Sequence, residues 1–535
     1  MAFDEFKRYE DEESPSRLLL QFGEDTTAHG VGNVVRKKQL FQRLIWLGLV
    51  IGAICATTYQ LSEVCIKFFN YPSEEMTRTT YGRTEMPSIT LCNINPISPS
   101  KQGDAQQKQN TYIGVLTMLS YLENATKLNR SDAANSHVFR LLSATGLYEH
   151  DENAPDEVGT SFQDFVIGCT FDMQPCGINQ FSKFVDAQYY NCYTFNGLNV
   201  NDSLVSMSTG PRNGLSLILY LESDSDTQIG SGIYDKLSNT GNSAGARVVI
   251  HPPKTFPSPT DMGFDVSPGF STSVSVRAER KELKGLPYSN CSEDSLTAGT
   301  AFRYTSEHCM KICQQQFVIE RCGCMAPNLP KVSDEIPDNI TYCGYLYSDD
   351  YAASLDNVEC EDSALREFVS DSRNSEKCEC YSPCSEFSYR TALSQSFWPL
   401  DYYANSFLLT YVFNHPNYSH LLAYKNFQQL GYSDLGGAIR RNFLRLNVYF
   451  EDLSVQENVE IASYEFQDFF SDLGGTFGFW IGVSMLTLCE LIELLVRVFY
   501  FGVSWCFVRK KKRSPVIHVS EAPTRYPSVS VIGLN

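Results

Sequence analysis

The apolar positions of this chain collect in two long runs, one near each end. The first is Leu44–Leu61 (LIWLGLVIGAICATTYQL) and the second runs from Leu473 to Val508. A helix needs about 20 apolar residues to cross a bilayer, and both runs reach that length. The pattern predicts two membrane crossings with most of the mass on one side. Between the runs the periodicity changes repeatedly. PSITLCNIN (87–95) predicts a buried strand leaving the membrane. TYIGVLTMLSYL (111–122) and HVFRLLSATGLY (137–148) carry apolar residues at helical spacing. GLSLILYL (214–221), RVVIH (247–251) and STSVSV (271–276) are β-rich, and the Pro-rich HPPKTFPSPTDMG (251–263) cannot be a central strand. RLNVYFEDL (445–453) alternates again and leads into the second run. The fold class expected is membrane α+β: two transmembrane helices carrying a large disulfide-rich α/β domain.

Charge orients this layout. Arg36, Lys37, Lys38 and Arg43 flank the first run, and Arg509 to Arg513 follow the second. Basic residues mark cytoplasmic ends, so both termini are expected inside the cell and the middle outside, at the plasma membrane. No secretory signal precedes the first run, because residues 1–28 are polar and acid-rich, so it is expected to act as an uncleaved anchor. The expected divisions are a cytoplasmic segment 1–39, a first span 40–62, an extracellular ligand-sensing domain 63–465, a second span with the pore 466–508 and a cytoplasmic tail 509–535. The tail after Arg513 has no helical period and reads as unstructured.

Composition adds two points. A net charge of −19 argues against a nucleic-acid partner. Of 18 cysteines, 14 lie between Cys92 and Cys384, which in a non-cytosolic domain reads as disulfides. The N-x-[ST] sequons at Asn124, Asn129, Asn201, Asn290, Asn339 and Asn417 all fall in the same region and are candidate glycosylation sites. Cys309 and Cys313, four apart, share a helix face, and Cys378 and Cys380, two apart, share a strand face. Run antiparallel, these segments could form a disulfide ladder; the rival reading, metal knuckles at Cys322-Gly-Cys324 and Cys378-Glu-Cys380, is disfavoured outside the cell. No nucleophile–base constellation, phosphate-binding glycine loop or HExxH is present, and the eight histidines are scattered, so neither an enzyme nor a bound cofactor is expected.

The second run carries the chemistry. Gly474, Gly475, Gly478 and Gly482 crowd its first half, and the first three suit close helix approach. Gly482-Val483-Ser484 lies near mid-membrane, where backbone carbonyls and a hydroxyl can form an oxygen-lined filter for small cations. Irregular backbone at that depth is tolerated only against protein or a water-filled cavity. Glu490 and Glu493 are ionisable groups inside a span, hence functional candidates, with Arg497 placed to neutralise Glu493.

These residues resemble the degenerin/epithelial sodium channel superfamily over nearly the whole chain. The likeness is carried by His29-Gly30, PSITLCN (87–93), NCYTFN (191–196), Cys309-x3-Cys313-x8-Cys322-Gly-Cys324, CECYSPC (378–384), SDLGGTFGFWIG (471–482) and Gly-Val-Ser. The resemblance implies a homotrimer around a sodium-selective, amiloride-sensitive pore, with sodium as the permeant ion rather than a cofactor. It implies seven disulfides: Cys92–Cys192, Cys169–Cys176, Cys291–Cys384, Cys309–Cys380, Cys313–Cys378, Cys322–Cys360 and Cys324–Cys343. It places His29 and Gly30 in a re-entrant loop at the inner pore, and Ser471, before Asp472, at a position where bulky side chains hold the channel open.

NGLSLILYLE (213–222), the 243–274 stretch, SFWPLDYY (396–403) and RNFLRLNVYFEDLSV (441–455) are most similar to invertebrate FMRFamide-gated sodium channels. That implies fast excitatory current triggered by an amidated neuropeptide; the alternatives are another peptide, protons, stretch, a constitutive leak or a non-conducting receptor. A peptide with two positive charges and two phenylalanines calls for carboxylates beside aromatic walls. Tyr112, Tyr121, Asp132, Phe139, Tyr148 and Glu149 supply both; for any one of them the favoured reading is an aromatic packed in the helical core or a solvated acid, and the sequence does not locate the pocket.

Overall fold

The β-rich runs of the middle region fold into two sheets that share one core. The computed structural model describes residues 15–95, 98, 156, 159–198, 204–223, 243–292, 301–332, 340–343, 351–413 and 432–511. The chain divides into two compact units, Glu74–Ile461 and Met1–Ser73 with Ala462–Asn535. The principal strands are β1 (Ser73–Tyr81), β2 (Ser88–Asn93), β3 (Val166–Phe171), β4 (Gln174–Pro175), β5 (Phe181–Asp186), β6 (Tyr190–Phe195), β7 (Leu215–Tyr220), β8 (Ala246–His251), β9 (Phe264–Val266), β10 (Phe270–Glu282), β11 (Ser385–Phe397) and β12 (Phe443–Ala462).

The larger sheet runs β11-β10-β12-β7-β3-β4, with β1 also on β12, and the smaller runs β9-β8-β2-β6-β5. Strand alternation decides which side chains meet. Leu215, Leu217 and Leu219 on β7 and Leu444, Leu446 and Val448 on β12 point inward against Ile89 and Leu91 of β2 and Val248 of β8. The intervening Ile218, Tyr220 and Phe443 point the other way, into a second core with Ala404, Phe407, Leu408 and Ile439. Both faces of the central strands are therefore buried, which is why their sequences read as nearly continuous apolar runs.

Within the smaller sheet, buried His251 is satisfied on both ring nitrogens, by Thr90 at 2.9 Å and Thr255 at 2.8 Å. Burial holds it uncharged by lowering its pKa to about 4.

Seven disulfides brace this unit. Cys92 on β2 lies directly opposite Cys192 on β6 and is bonded to it. Cys169 joins Cys176 across the β3–β4 turn, and Cys291 joins Cys384. The helix Ser306–Cys322, capped by the Thr305 hydroxyl, carries Cys309 to Cys380 and Cys313 to Cys378. Cys322–Cys360 ties it to the helix Tyr351–Ser370, and Cys324–Cys343 closes the loop beyond. The strand face expected for Cys378 and Cys380 is absent. They sit in a turn after a short helix, with Glu379 between them at φ 48°. A left-handed residue reverses the chain locally and brings both sulfurs to one side without a strand.

Candidate functional site

The second unit contains the apolar runs. The first run lies in one helix, Leu40–Phe69, long and apolar enough to span a membrane. The second run is not one helix. Phe466–Trp480 and Met485–Tyr500 meet at an 80° bend across the break Ile481–Ser484. The first half-helix packs on Leu40–Phe69: Trp480 Nε1 donates to Gln60 Oε1 at 2.7 Å, and Phe68 stacks on Phe469 at 4.5 Å.

Local chemistry makes the break. Gly482 adopts φ +68°, a left-handed conformation that glycine takes without strain and that commonly ends helices. Its missing side chain is occupied space, because a Cβ there would fall inside the His29 imidazole ring. Ser484 then starts the second half-helix as its cap. Thr487 N–H donates to Ser484 Oγ at 3.4 Å, and Ser484 N–H donates to Thr487 Oγ1 at 3.2 Å, a reciprocal capping arrangement. Gly482, Val483 and Ser484 thus form a short non-helical stretch between two capped ends.

The N-terminal segment lies against this break. His29 N–H donates to the Ile481 carbonyl at 2.8 Å. Gly30, at φ +86°, opens the short helix Val31–Arg36, and a Cβ on it would come within 2.9 Å of Val50 in the first span. Glu490 Oε2 accepts from Thr27 N–H at 3.1 Å, Thr26 Oγ1 at 3.3 Å and Thr27 Oγ1 at 3.4 Å, while Thr27 and Thr487 share a hydroxyl bond of 2.6 Å. Glu493 is paired elsewhere, with Arg497 at 2.6 Å. The two glutamates share a helix face but have different partners. Asp25, Glu490, Glu493 and Arg497 line a cavity of about 150 Å³ there.

A non-helical segment inside an apolar run, with the N-terminal segment folded back against it, departs from the continuous helix of a simple anchor. Residues 22–494 match the family described as amiloride-sensitive sodium channel. The chain belongs to that family. It is 31% identical to the FMRFamide-activated amiloride-sensitive sodium channel of Cornu aspersum, over 92% of this chain and 84% of that one. It is 27% identical to the epithelial sodium channel subunit beta of Xenopus laevis (95% and 88% covered) and 24% identical to acid-sensing ion channel 1 of Gallus gallus (89% and 83%). A proton-activated chloride channel structure aligns over 85% of this chain and 96% of that one, with a TM-score of 0.26 and 8% identity, too slight to carry an argument. The protein is a sodium channel of the epithelial sodium channel/degenerin family, a family of ion channels and not of enzymes, whose members reside in the plasma membrane. Its disulfide-braced unit is the family's extracellular domain.

Ser471, Asp472 and Gly475 lie on the first half-helix of this channel. Ser471 is exposed and donates to the Gln467 carbonyl at 2.9 Å, and Asp472 accepts from the Tyr464 hydroxyl at 2.5 Å. Cβ atoms added to Gly474, Gly475 or Gly478 would meet nothing within 4 Å, so this glycine face is uncovered among the described residues. Asn290 is exposed. Asn124, Asn129, Asn201, Asn339 and Asn417, and Tyr112, Tyr121, Asp132, Phe139, Tyr148 and Glu149, lie outside the described residues. Sequence reasoning missed Thr26, Thr27, Ile481 and Thr487. Ser484-x-x-Thr487 has the spacing of a capping motif and was findable; Thr26 and Thr27 contact residues 460 or more positions away, and no local pattern marks them.

Proposed function

We propose that this chain is the subunit of a sodium-selective, amiloride-sensitive channel opened by an extracellular amidated neuropeptide of the FMRFamide type, giving fast excitatory current. The observation that carries the pore reading is the break at Gly482–Ser484. Three such chains around an axis would bring three irregular segments together, so that their carbonyls and the Ser484 hydroxyls replace the water of a sodium ion. The uncovered Gly474-Gly475-Gly478 face suits a neighbouring span. Both apolar runs would cross the membrane, with both termini in the cytoplasm.

The likeness to the Cornu aspersum channel supports a peptide trigger. In this reading the peptide's amine and guanidinium are received by Asp132 and Glu149 and its rings by Tyr112, Tyr121, Phe139 and Tyr148. Binding would shift the population toward a state in which the second spans part.

Expression in oocytes tests this. FMRFamide should evoke an inward sodium current blocked by amiloride. Current on acidification alone would transfer the trigger to protons, and silence to every stimulus with the chain at the surface would contradict a channel.

A further inference from the structure

The extracellular unit holds a second feature unrelated to the ion pathway. Three adjacent strands, β3, β7 and β12, present Gly168, Cys169, Thr170, Ser216, Ile218 and Arg445 as the floor of a cavity of about 550 Å³. Register puts Arg445 directly opposite Ile218, and Ile218 opposite Gly168, so these positions share one face. That face is the one covered, one residue pair earlier, by the second apolar core around Phe443 and Tyr220. Where the cover ends, Arg445 takes the place of an apolar residue and the cavity opens.

The wall is aromatic. Trp398, Tyr402, Tyr403 and Tyr411 line it with Leu400. Trp398 and Tyr411 are fixed by edge and tilted contacts with buried Phe407, at 5.1 and 5.4 Å. Tyr402 is 84% exposed, a position for an aromatic ring that no packing within the described chain explains.

The polar groups are biased toward donors. Arg445 has no hydrogen-bond or ion-pair partner among the described residues, and no carboxylate lines the cavity among them. Asp401, between the lining residues Leu400 and Tyr402, is already paired with Arg440. A cation entering here meets an unneutralised guanidinium. A neutral aromatic leaves that exposed guanidinium to water and gains nothing from its charge. An aromatic or strongly apolar carboxylate fills the volume, stacks on the rings and accepts two parallel N–H bonds from Arg445.

We propose that this cavity is a binding site for small aromatic carboxylates, separate from any site for FMRFamide-type peptides, which carry two cations and no carboxylate. The volume lies in the range of roughly 300–1,000 Å³ typical of small-molecule pockets.

The test uses the purified full chain and two probes, 6-fluoro-2-naphthoate and its neutral counterpart 6-fluoro-2-naphthamide, followed by fluorine NMR. The carboxylate should bind at least about tenfold more tightly than the amide, the discrimination expected of one charge-assisted bidentate contact. Arg445→Gln should lower carboxylate affinity to that of the amide while thermal unfolding is unchanged. Tyr402→Ala, at an exposed side chain, should weaken both probes alike. Failure of the carboxylate to bind the unaltered chain, equal affinity for the two probes, or full carboxylate affinity in Arg445→Gln would each overturn the assignment.

Discussion

The backbone N–H of His29 donates to the carbonyl oxygen of Ile481 at 2.8 Å, joining the N-terminal segment to the helix break. One residue further on, the ring of His29 fills the space a side chain at position 482 would need. The break and the folded-back segment are therefore one structure, and each constrains the other.

Replacing Gly482 tests this coupling. Any side chain there must hold a left-handed conformation, costing about 1–2 kcal/mol, and must displace His29. Gly482→Val is expected to abolish current or shift the reversal potential toward non-selectivity while surface labelling persists. Unaltered sodium selectivity would count against the segment's role.

Glu490 positions the N-terminal segment through Thr26 and Thr27. Glu490→Ala removes the acceptor of the Thr26 hydroxyl, so adding Thr26→Val should change sodium-over-potassium selectivity little further, whereas Thr27→Val also breaks the Thr27–Thr487 bond and is left out of the comparison. Additive effects of Glu490→Ala and Thr26→Val would show that the two side chains are not energetically linked.

The Cys92–Cys192 bond lies fully buried between two paired strands. Losing a native disulfide of this kind removes about 2–5 kcal/mol. Cys92→Ser with Cys192→Ser is expected to cut surface expression severely at 37 °C, with partial recovery at lower temperature.

Two buried groups give the extracellular unit a pH-dependent stability of opposite sign. Glu361 is buried on the helix Tyr351–Ser370, and desolvation, then nearby Asp362, raises its pKa from 4.5 to about 8. The folded state holds this proton more tightly than the unfolded state. Stability from Glu361 is complete below pH 4.5 and is lost progressively as pH rises to 8, by about 4 kcal/mol. His251, lowered to about 4, acts the other way: the unfolded chain takes up its proton first, so stability falls as pH drops from 6.5 to 4. Glu361→Gln should raise the melting temperature at pH 8 and leave it unchanged at pH 4.5. Equal shifts at both values would refute the assignment.

Much of the fold was legible because burial on two faces leaves a simple mark. Leu215–Tyr220, Ala246–His251 and Ser88–Asn93 are strands whose apolar content declared them. The first helix extends to Phe69, beyond the apolar run, because Ser62–Phe69 is mixed in polarity and gives no membrane signal. The turn at Cys378–Cys380 misled because spacing by two marks a strand only when no left-handed residue intervenes. The cavity beside Arg445 was invisible for a different reason: its floor and wall come from segments far apart in sequence, and only the register of β7 against β12 brings them together.

The central claim is that the Gly482–Ser484 segment faces the permeating ion. A cysteine placed at Ser484 and challenged with extracellular cadmium during agonist-evoked current tests it most directly, with the unaltered channel, which retains Cys55 and Cys489 in its helices, as the control. Rapid block of the Ser484→Cys current alone is predicted. A Ser484→Cys current as insensitive to cadmium as the unaltered channel's would contradict the account.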